Sequence, residues 1–429
     1  MNTGGILPEL DWRGLYADCT DREALLKRTA SGPITLYCGF DPTSDSLHVG
    51  NLVPLFTLRR FQQFGHHPIA LAGGATGMIG DPSGKSDERN LLTPEQIDAH
   101  LSSIKPQLER FLDFSTQTNP ARVVNNLDWT KNMSYLEFLR DVGKHITVNS
   151  MVAKDSVRAR MEDRASGISY AEFSYQLLQG FDFHHLRDKF DCELQIGATD
   201  QWGNITVGTE LTRKKMGATV WGLVLPLMLK ADGTKYGKSA EGAVWLDPKK
   251  TSPYRFYQFF VNSDDADVVK LLKMLTFVPQ EAVADLEGRV ASKPEAREAQ
   301  KVLAGEMTTL VHGKGAADSA AVASGILFGG SVADVTEAAL NDLAGEVPTS
   351  AISRAGLEGA GTSMIDLIVT AGLATSKSES RRALESGGVH LNSAKVDGVT
   401  RAATTSDLLF GKYLLLRKGK RSYALLRAD

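Results

Sequence analysis

Apolar and polar positions along the chain change their spacing several times, and each change marks an element. Residues 34–38 form a short apolar run rich in β-formers, read as a buried strand. Gly39, Asp41, Pro42 and Ser44 break it with turn chemistry. From His48 on, Val49, Leu52, Val53, Phe56, Phe61 and Phe64 recur every three to four residues, the period of an amphipathic helix. Pro54 costs no hydrogen bond if it lies in the first turn, whereas a helix starting at His48 would be bent by it. Further strands are expected at 69–72, 123–125 and 191–196, and a further apolar run from 221 leads into a glycine-rich loop. Helices are expected at 7–16, 23–28, 91–114 (capped by Thr93-Pro94-Glu95), 128–142 and 169–183. From 251 to about 330 the pattern is helical and strand-poor, with segments 254–261, 266–275, 279–289, 294–311 and 315–327. Residues 341–362 are rich in Gly, Ser and Ala and read as a linker. Alternating strand–helix units followed by a run of helices predict an α/β parallel-sheet domain, then an α-helical domain and a small α+β module. The expected boundaries are 1–225, a loop and connection at 226–250, 251–340, a linker at 341–361, and 362–429.

Composition narrows the class without changing this picture. A chain of 429 residues, 42% hydrophobic and 23% charged, fits two or three domains of an ordinary soluble protein. No apolar run approaches the roughly 20 residues of a membrane span, and the first residues lack a secretory or transit pattern. Cys19, Cys38 and Cys192 are few, odd in number and not at metal-ligand spacing. That points to a reducing cytoplasm and to no protein-bound metal. Charge is uneven: residues 361–429 hold eleven Lys and Arg against six acids. The surplus of five leaves the rest of the chain at −8 within a total of −3. A basic end-module on an acidic body suits a polyanionic partner, although a solvated basic face gives the same count.

The candidate chemistry sits where strands end. A loop feeding a helix N-terminus aims free N–H groups at its ligand and favours phosphate, and His48 lies at that junction. The plain alternative is an αβ turn with a surface histidine. Residues 73–86, GGATGMIGDPSGKS, suggest a phosphate-cradling loop, but the motif ending at Lys85-Ser86 needs glycine where Ile79 stands. Asp81 remains as an acid near the site, or as a turn-forming Asp-Pro. Tyr175, Gln179 and Asp182 share one helical face at i, i+4 and i+7, either a polar pocket wall or an exposed stripe. Asp200 and Gln201 follow the carboxyl end of a strand, where open α/β sheets bind ligands. Lys235 and Lys238 lie three apart on a glycine loop, suited to transient capture of a polyphosphate or simply solvated.

Together and in order, these stretches carry a resemblance. His48-Val49-Gly50-Asn51 resembles the His-Ile-Gly-His signature of class I aminoacyl-tRNA synthetases, with Asn51 in place of the second histidine. YCGFDPTSDSLHVGN, GATGMIGDPSGK, SYAEFSYQLLQGFDF, GATDQWGN and KYGKS resemble the bacterial-type tyrosyl-tRNA synthetases over essentially the whole chain, KYGKS standing for the Lys-Met-Ser-Lys-Ser loop. Residues 375–398 resemble an alpha-L RNA-binding motif. The resemblance implies a Rossmann-like catalytic domain, a helical anticodon-binding domain, a homodimer and a tyrosine–tRNA ligase. It implies that Tyr37 and Asp182 meet the phenolic hydroxyl of tyrosine, and that Tyr175, Gln179 and Asp81 hold its ammonium. Cys38, Gly39, Asp41 and Gly50 would lie along ATP, Asp200 and Gln201 near the adenylate. Thr43 and His48 would stabilise the γ-phosphate, Asn51 would take a ribose role, and Lys235 and Lys238 would clamp pyrophosphate. Lys377, Arg381 and Arg382 would meet tRNA backbone. ATP would enter with Mg²⁺.

The chemistry implied suits the residues: a carboxylate nucleophile needs no general base, so positioning and charge stabilisation suffice. A tryptophanyl-tRNA synthetase shares fold and signatures and is the nearest alternative, but Asp182 paired with Tyr37 argues for a phenol. A small nucleotidylyltransferase would not need residues 251–429. A scaffold retained only for RNA binding would not need His48, Lys235 and Lys238.

Overall fold

A six-stranded sheet carries the first part of the chain. The computed structural model describes residues 5–83, 92–162, 167–231, 233–234, 236–239, 242–333, 335–419 and 422–429. The strands are β1 (Asp18–Cys19), β2 (Thr35–Phe40), β3 (His67–Ala72), β4 (Arg122–Asn125), β5 (Cys192–Ala198) and β6 (Trp221–Leu225), in the order β1-β6-β5-β2-β3-β4. All pairings are parallel except that of β1 with β6. Helices cover the sheet, so the inner strands read as continuous apolar runs rather than as alternation; every residue of β6 is buried. The chain steps outward from β2 to β3 and β4, then returns to the far side of β2 as β5 and β6. That reversal opens a crevice at the carboxyl ends of β2 and β5. Register places Tyr37 opposite both Ile69 and Gln195.

His48 caps a 3₁₀ turn, Val49–Asn51, and the helix proper is Leu52–Gln63. Pro54 therefore falls in the first turn of the α-helix, where its missing N–H has no intrahelical partner to lose. The helix Pro94–Phe111 is capped by Thr93, and the reciprocal bond comes from Gln96 rather than Glu95. The helix expected at 128–142 is two, Leu127–Thr130 and Tyr135–Asp141, because Ser134 caps the second with Glu137 closing the box. Tyr170–Phe190 and Trp202–Met216 complete the layer around the site. No helix among the described residues is long and apolar enough to cross a membrane.

By contacts the chain forms two units, residues 1–247 with 264–288, and 248–263 with 289–429. The helical run expected as one block is thus divided. Buried guanidinium groups explain why 264–288 joins the sheet: Arg60 Nη2 and Arg13 Nη1 donate to the Thr276 carbonyl at 2.6 and 2.9 Å. A short hairpin, β7 (Lys238–Ser239) and β8 (Gly242–Ala243), also belongs to the first unit.

In the second unit, Arg297 adopts a left-handed conformation and separates Pro294–Ala296 from the helix Glu298–His312. The remaining strands are β9 (Thr349–Ile352), β10 (Thr362–Ser363), β11 (Val389–Leu391), β12 (Ala394–Lys395), β13 (Ala402–Ala403), β14 (Tyr413–Lys418) and β15 (Ser422–Ala428). A five-stranded sheet has the order β12-β11-β14-β15-β9. The stretch read as a linker at 341–361 contains β9, which pairs parallel with β15, Thr349 opposite Leu425. Main-chain hydrogen bonds hold this edge strand, so small side chains there do not signal slack chain. Side chains alternate across the sheet: Leu414, Leu416, Ala424 and Leu426 join one core. Tyr413, Leu415, Tyr423 and Leu425 join another, with Tyr254, Ala323, Ile326, Leu340 and Leu343 of the helices.

Candidate active site

At the β2–β5 reversal lies a cavity of about 540 Å³. Strand β2 and its following loop bring Tyr37, Cys38, Gly39, Asp41 and Thr43 to it, and the signature turn brings His48, Gly50 and Asn51. Asp81 enters from the loop beyond β3, Tyr175, Gln179 and Asp182 from one face of Tyr170–Phe190, and Asp200 and Gln201 from the end of β5. A larger, more open hollow of about 690 Å³ beside β4 is lined by none of these residues.

One end of the cavity is built around Asp182. Its carboxylate accepts Asn126 Nδ2 and Trp129 Nε1, each at 2.9 Å. Burial pushes this carboxyl up to about 7; the Asn126 and Trp129 N–H groups oppose the shift and the charge of Asp41 adds to it. The Tyr37 hydroxyl is fully buried and finds no hydrogen-bond partner among the described residues, and neither does Gln195 Oε1 opposite it. Burial and the nearby Asp182 raise the Tyr37 phenol well above its ordinary range. Buried polar atoms without partners are costly, so this end is suited to a ligand that brings its own polar group.

A second set of acids surrounds the middle. Asp41 accepts Tyr175 Oη at 2.8 Å and Thr76 Oγ1 at 2.7 Å. Thr76 Oγ1 accepts Asn126 Nδ2 at 3.0 Å, so one asparagine ties both carboxylates together. Asp81 accepts Gln201 Nε2 at 2.5 Å and Asn204 Nδ2 at 3.4 Å. A Cβ at Gly73 would stand 2.0 Å from Asp41 Oδ1, so only glycine allows the approach. No described lysine or arginine lines the cavity; acids held by neutral donors in a cleft favour a cation.

The mouth is formed by the signature turn. His48 Nδ1 accepts the Gly50 N–H at 3.0 Å, which leaves the proton of the neutral ring on Nε2. Asn51 Oδ1 accepts the His48 N–H at 3.0 Å, so its amide oxygen is engaged in capping and its NH₂ group is the donor it retains. The segment after β8 runs alongside: Val49 N–H donates to Val244 O, and Leu246 N–H to Leu47 O, each at 2.9 Å. The Trp245 ring meets His48 edge to face at 6.0 Å. Gly237, at φ 101°, brings the chain so close that a Cβ there would be 3.4 Å from Gly50 N.

Comparison with known proteins accounts for both units. The family model described as "tRNA synthetases class I (W and Y)" matches residues 29–329. The one described as "Tyrosine--tRNA ligase SYY-like C-terminal domain" matches residues 340–426. The tyrosine–tRNA ligase of Opitutus terrae is 62% identical over 98% of this chain and 99% of its own length. The chain belongs to the tyrosyl-tRNA synthetase family. The Roseiflexus castenholzii ligase is 52% identical over 98% of this chain and 99% of its own. A C-terminally truncated Aspergillus nidulans mitochondrial tyrosyl-tRNA synthetase matches in structure with a TM-score of 0.69 at 31% identity. The match covers 76% of this chain and 94% of that one. A Plasmodium falciparum tryptophanyl-tRNA synthetase shares the fold, at 15% identity and a TM-score of 0.52.

In this synthetase the structure brings fourteen of the residues singled out from sequence onto one cavity. Lys235 lies outside the described residues, as does the side chain of Lys238, whose backbone opens β7. Lys377, Arg381 and Arg382 belong to the second unit, on the helix Lys377–Glu385 capped by Ser376; Lys377 pairs with Asp366 at 2.6 Å. Sequence reading missed Thr76, Asn126, Trp129 and Gln195. Asn126 follows the carboxyl end of β4, and the rule that flagged Asp200 would have flagged it as well.

Proposed function

We propose that the synthetase joins L-tyrosine to ATP, giving tyrosyl-adenylate and pyrophosphate, and then passes tyrosine to the 3′-terminal adenosine of its tRNA. The observation that carries the substrate is the convergence of the Tyr37 hydroxyl and the Asp182 carboxylate on one buried end of the cavity. A phenol donates to Asp182 and accepts from Tyr37. The ammonium sits among Tyr175, Gln179 and Asp81. Phenylalanine would leave the buried groups unpaired, a mode of rejection for which this enzyme family is itself the standing example. An indole offers no hydroxyl to this pair either.

ATP enters as its Mg²⁺ salt past Cys38, Gly39 and Asp41. The tyrosine carboxylate attacks the α-phosphorus and the bond to pyrophosphate breaks, with no general base required. His48 Nε2–H and Thr43 donate to the γ-phosphate, Asn51 and Asp200 hold the ribose, and Lys235 and Lys238 bind the departing pyrophosphate. Donors fixed before reaction cost no reorganisation as charge develops. Gln201 steadies Asp81 and the adenylate. In the second step a ribose hydroxyl of the tRNA attacks the mixed anhydride and AMP leaves.

The helices at 251–340 read the anticodon, and Lys377, Arg381 and Arg382 of the basic module contact RNA backbone. The enzyme works in the cytoplasm as a homodimer. Its catalytic unit exposes Tyr135, Leu136, Val148 and Tyr170 at 61–75% of their surface, large apolar side chains of the kind that a partner chain covers. Sedimentation is expected to give the mass of two chains; a monomer at micromolar concentration would refute this.

The deciding experiment is ATP–pyrophosphate exchange without tRNA. Tyrosine is expected to drive exchange, with phenylalanine and tryptophan inactive. Exchange with tryptophan would overturn the pocket assignment, and no exchange from folded enzyme would overturn the activity.

A further inference from the structure

The loop at residues 41–47 joins β2 to His48 and carries Thr43 at an exposed position. Its conformation is held from outside. His100 Nδ1 lies 2.9 Å from the Pro42 carbonyl oxygen; a carbonyl only accepts, so Nδ1 carries the proton. Gln107 Oε1 accepts the Leu47 N–H at 3.0 Å, while the Ser46 hydroxyl gives its one proton to the Leu47 carbonyl at 2.8 Å. His100 and Gln107 are two turns apart on the 18-residue helix Pro94–Phe111, hence on one face. One helix face thus grips both ends of the loop, even though Pro106, just before Gln107, removes one main-chain hydrogen bond of that helix. Pro42 is closed from another side by Gly77, where a Cβ would stand 2.9 Å from Pro42 Cδ. Ser46 Oγ also accepts the Asp247 N–H at 3.2 Å, tying in the segment that pairs with Leu47 and Val49.

We infer that His100 and Gln107 are positioning residues for adenylate formation. Through Pro42 and Leu47 they fix the loop that presents Thr43, and the turn that His48 caps, to the phosphates of ATP. The inference rests on the tyrosine-activation reading above. Neither side chain lines the cavity, and both are half-buried on the helix surface, so they act through the loop rather than on substrate. Stabilising a phosphate as it gains charge depends on donors already in place, and a displacement of about 1 Å can cost on the order of 100-fold in rate. The Asp182 end has its own supports in Asn126 and Trp129, and neither bonds a residue of this loop.

The test uses the full-length enzyme in tyrosine-dependent ATP–pyrophosphate exchange, with tyrosine affinity by equilibrium dialysis and melting temperature alongside. Gln107→Met removes the acceptor at similar volume, Gln107→Glu keeps an oxygen for Leu47 N–H, and His100→Phe keeps a ring without a donor. Gln107→Met and His100→Phe are each expected to lower kcat about tenfold, with tyrosine affinity within about twofold. Gln107→Glu is expected to stay within about threefold of the parent rate. Parent kcat in both disrupting variants would overturn the inference, as would equal loss in Gln107→Met and Gln107→Glu, or matched loss of tyrosine binding. Should Gln107→Met not fold, His100→Phe decides. Exchange by the parent enzyme is scored separately, so failure of the activity reading is distinct from failure of this one.

Discussion

Asp182→Ala is expected to lower kcat/KM for tyrosine by at least roughly two orders of magnitude while the protein stays folded. The variant loses a charge-assisted hydrogen bond to the phenol, which is worth about 1.5–3 kcal/mol, and leaves a buried hydroxyl short of a partner. Stability changes less, because two effects oppose one another. Asn126 and Trp129 lose their acceptor, but a buried carboxylate also disappears. Discrimination against phenylalanine should fall with activity; an active variant that still rejects phenylalanine would refute the pocket. The parent's pH profile carries the same assignment. Burial holds the Asp182 carboxyl at about 7, far above the ordinary carboxylate range, so this group favours the free fold most at acid pH. That contribution fades as pH rises through 7. Tyrosine runs the other way, since its hydroxyl donates to the ionised form. Below pH 7 its apparent affinity should weaken by up to about tenfold per unit, and above pH 7 it should level off. Asp182→Ala should lose that limb.

Removing residues 351–429 is expected to separate the two steps. Every described residue of the cavity lies in the first unit, so tyrosine-dependent exchange should persist. Transfer to tRNA should fall by roughly two orders of magnitude, the scale on which lost positioning registers. The cut also strips Tyr413, Leu415, Tyr423 and Leu425 from Tyr254, Ala323, Ile326, Leu340 and Leu343. The truncated chain should therefore melt earlier and scatter light at concentrations where the parent does not. Exchange and charging lost in equal measure would contradict this division of labour.

Much of the site was legible because its signals are local. A strand, a turn and a helix with period 3.6 place His48 at a helix entrance. Spacing alone puts Tyr175, Gln179 and Asp182 on one face. The individual roles came from resemblance, not from spacing. What stayed hidden depends on register across the sheet. Gln195 faces Tyr37 only because β5 pairs with β2 across more than 150 residues. Thr76, which opens the short helix Thr76–Ile79, and Asn126, which precedes the helix Leu127–Thr130, meet Asp41 and Asp182 from separate segments. Strand β9 was hidden for another reason: an edge strand is held by backbone bonds, which composition does not reveal. The split of the helical run turned on Arg13 and Arg60, whose burial against Thr276 leaves no local trace.

The reversal of strand order between β2 and β5 also governs when the enzyme can first exist during its own synthesis. Tyr37 must wait for Gln195, and at about 5–20 residues per second a ribosome needs on the order of ten seconds or more to supply it. Through that interval β2 offers an open edge able to pair with another nascent chain. Rare codons placed between β4 and β5 would lengthen the exposure, whereas the same codons beyond β6 would not.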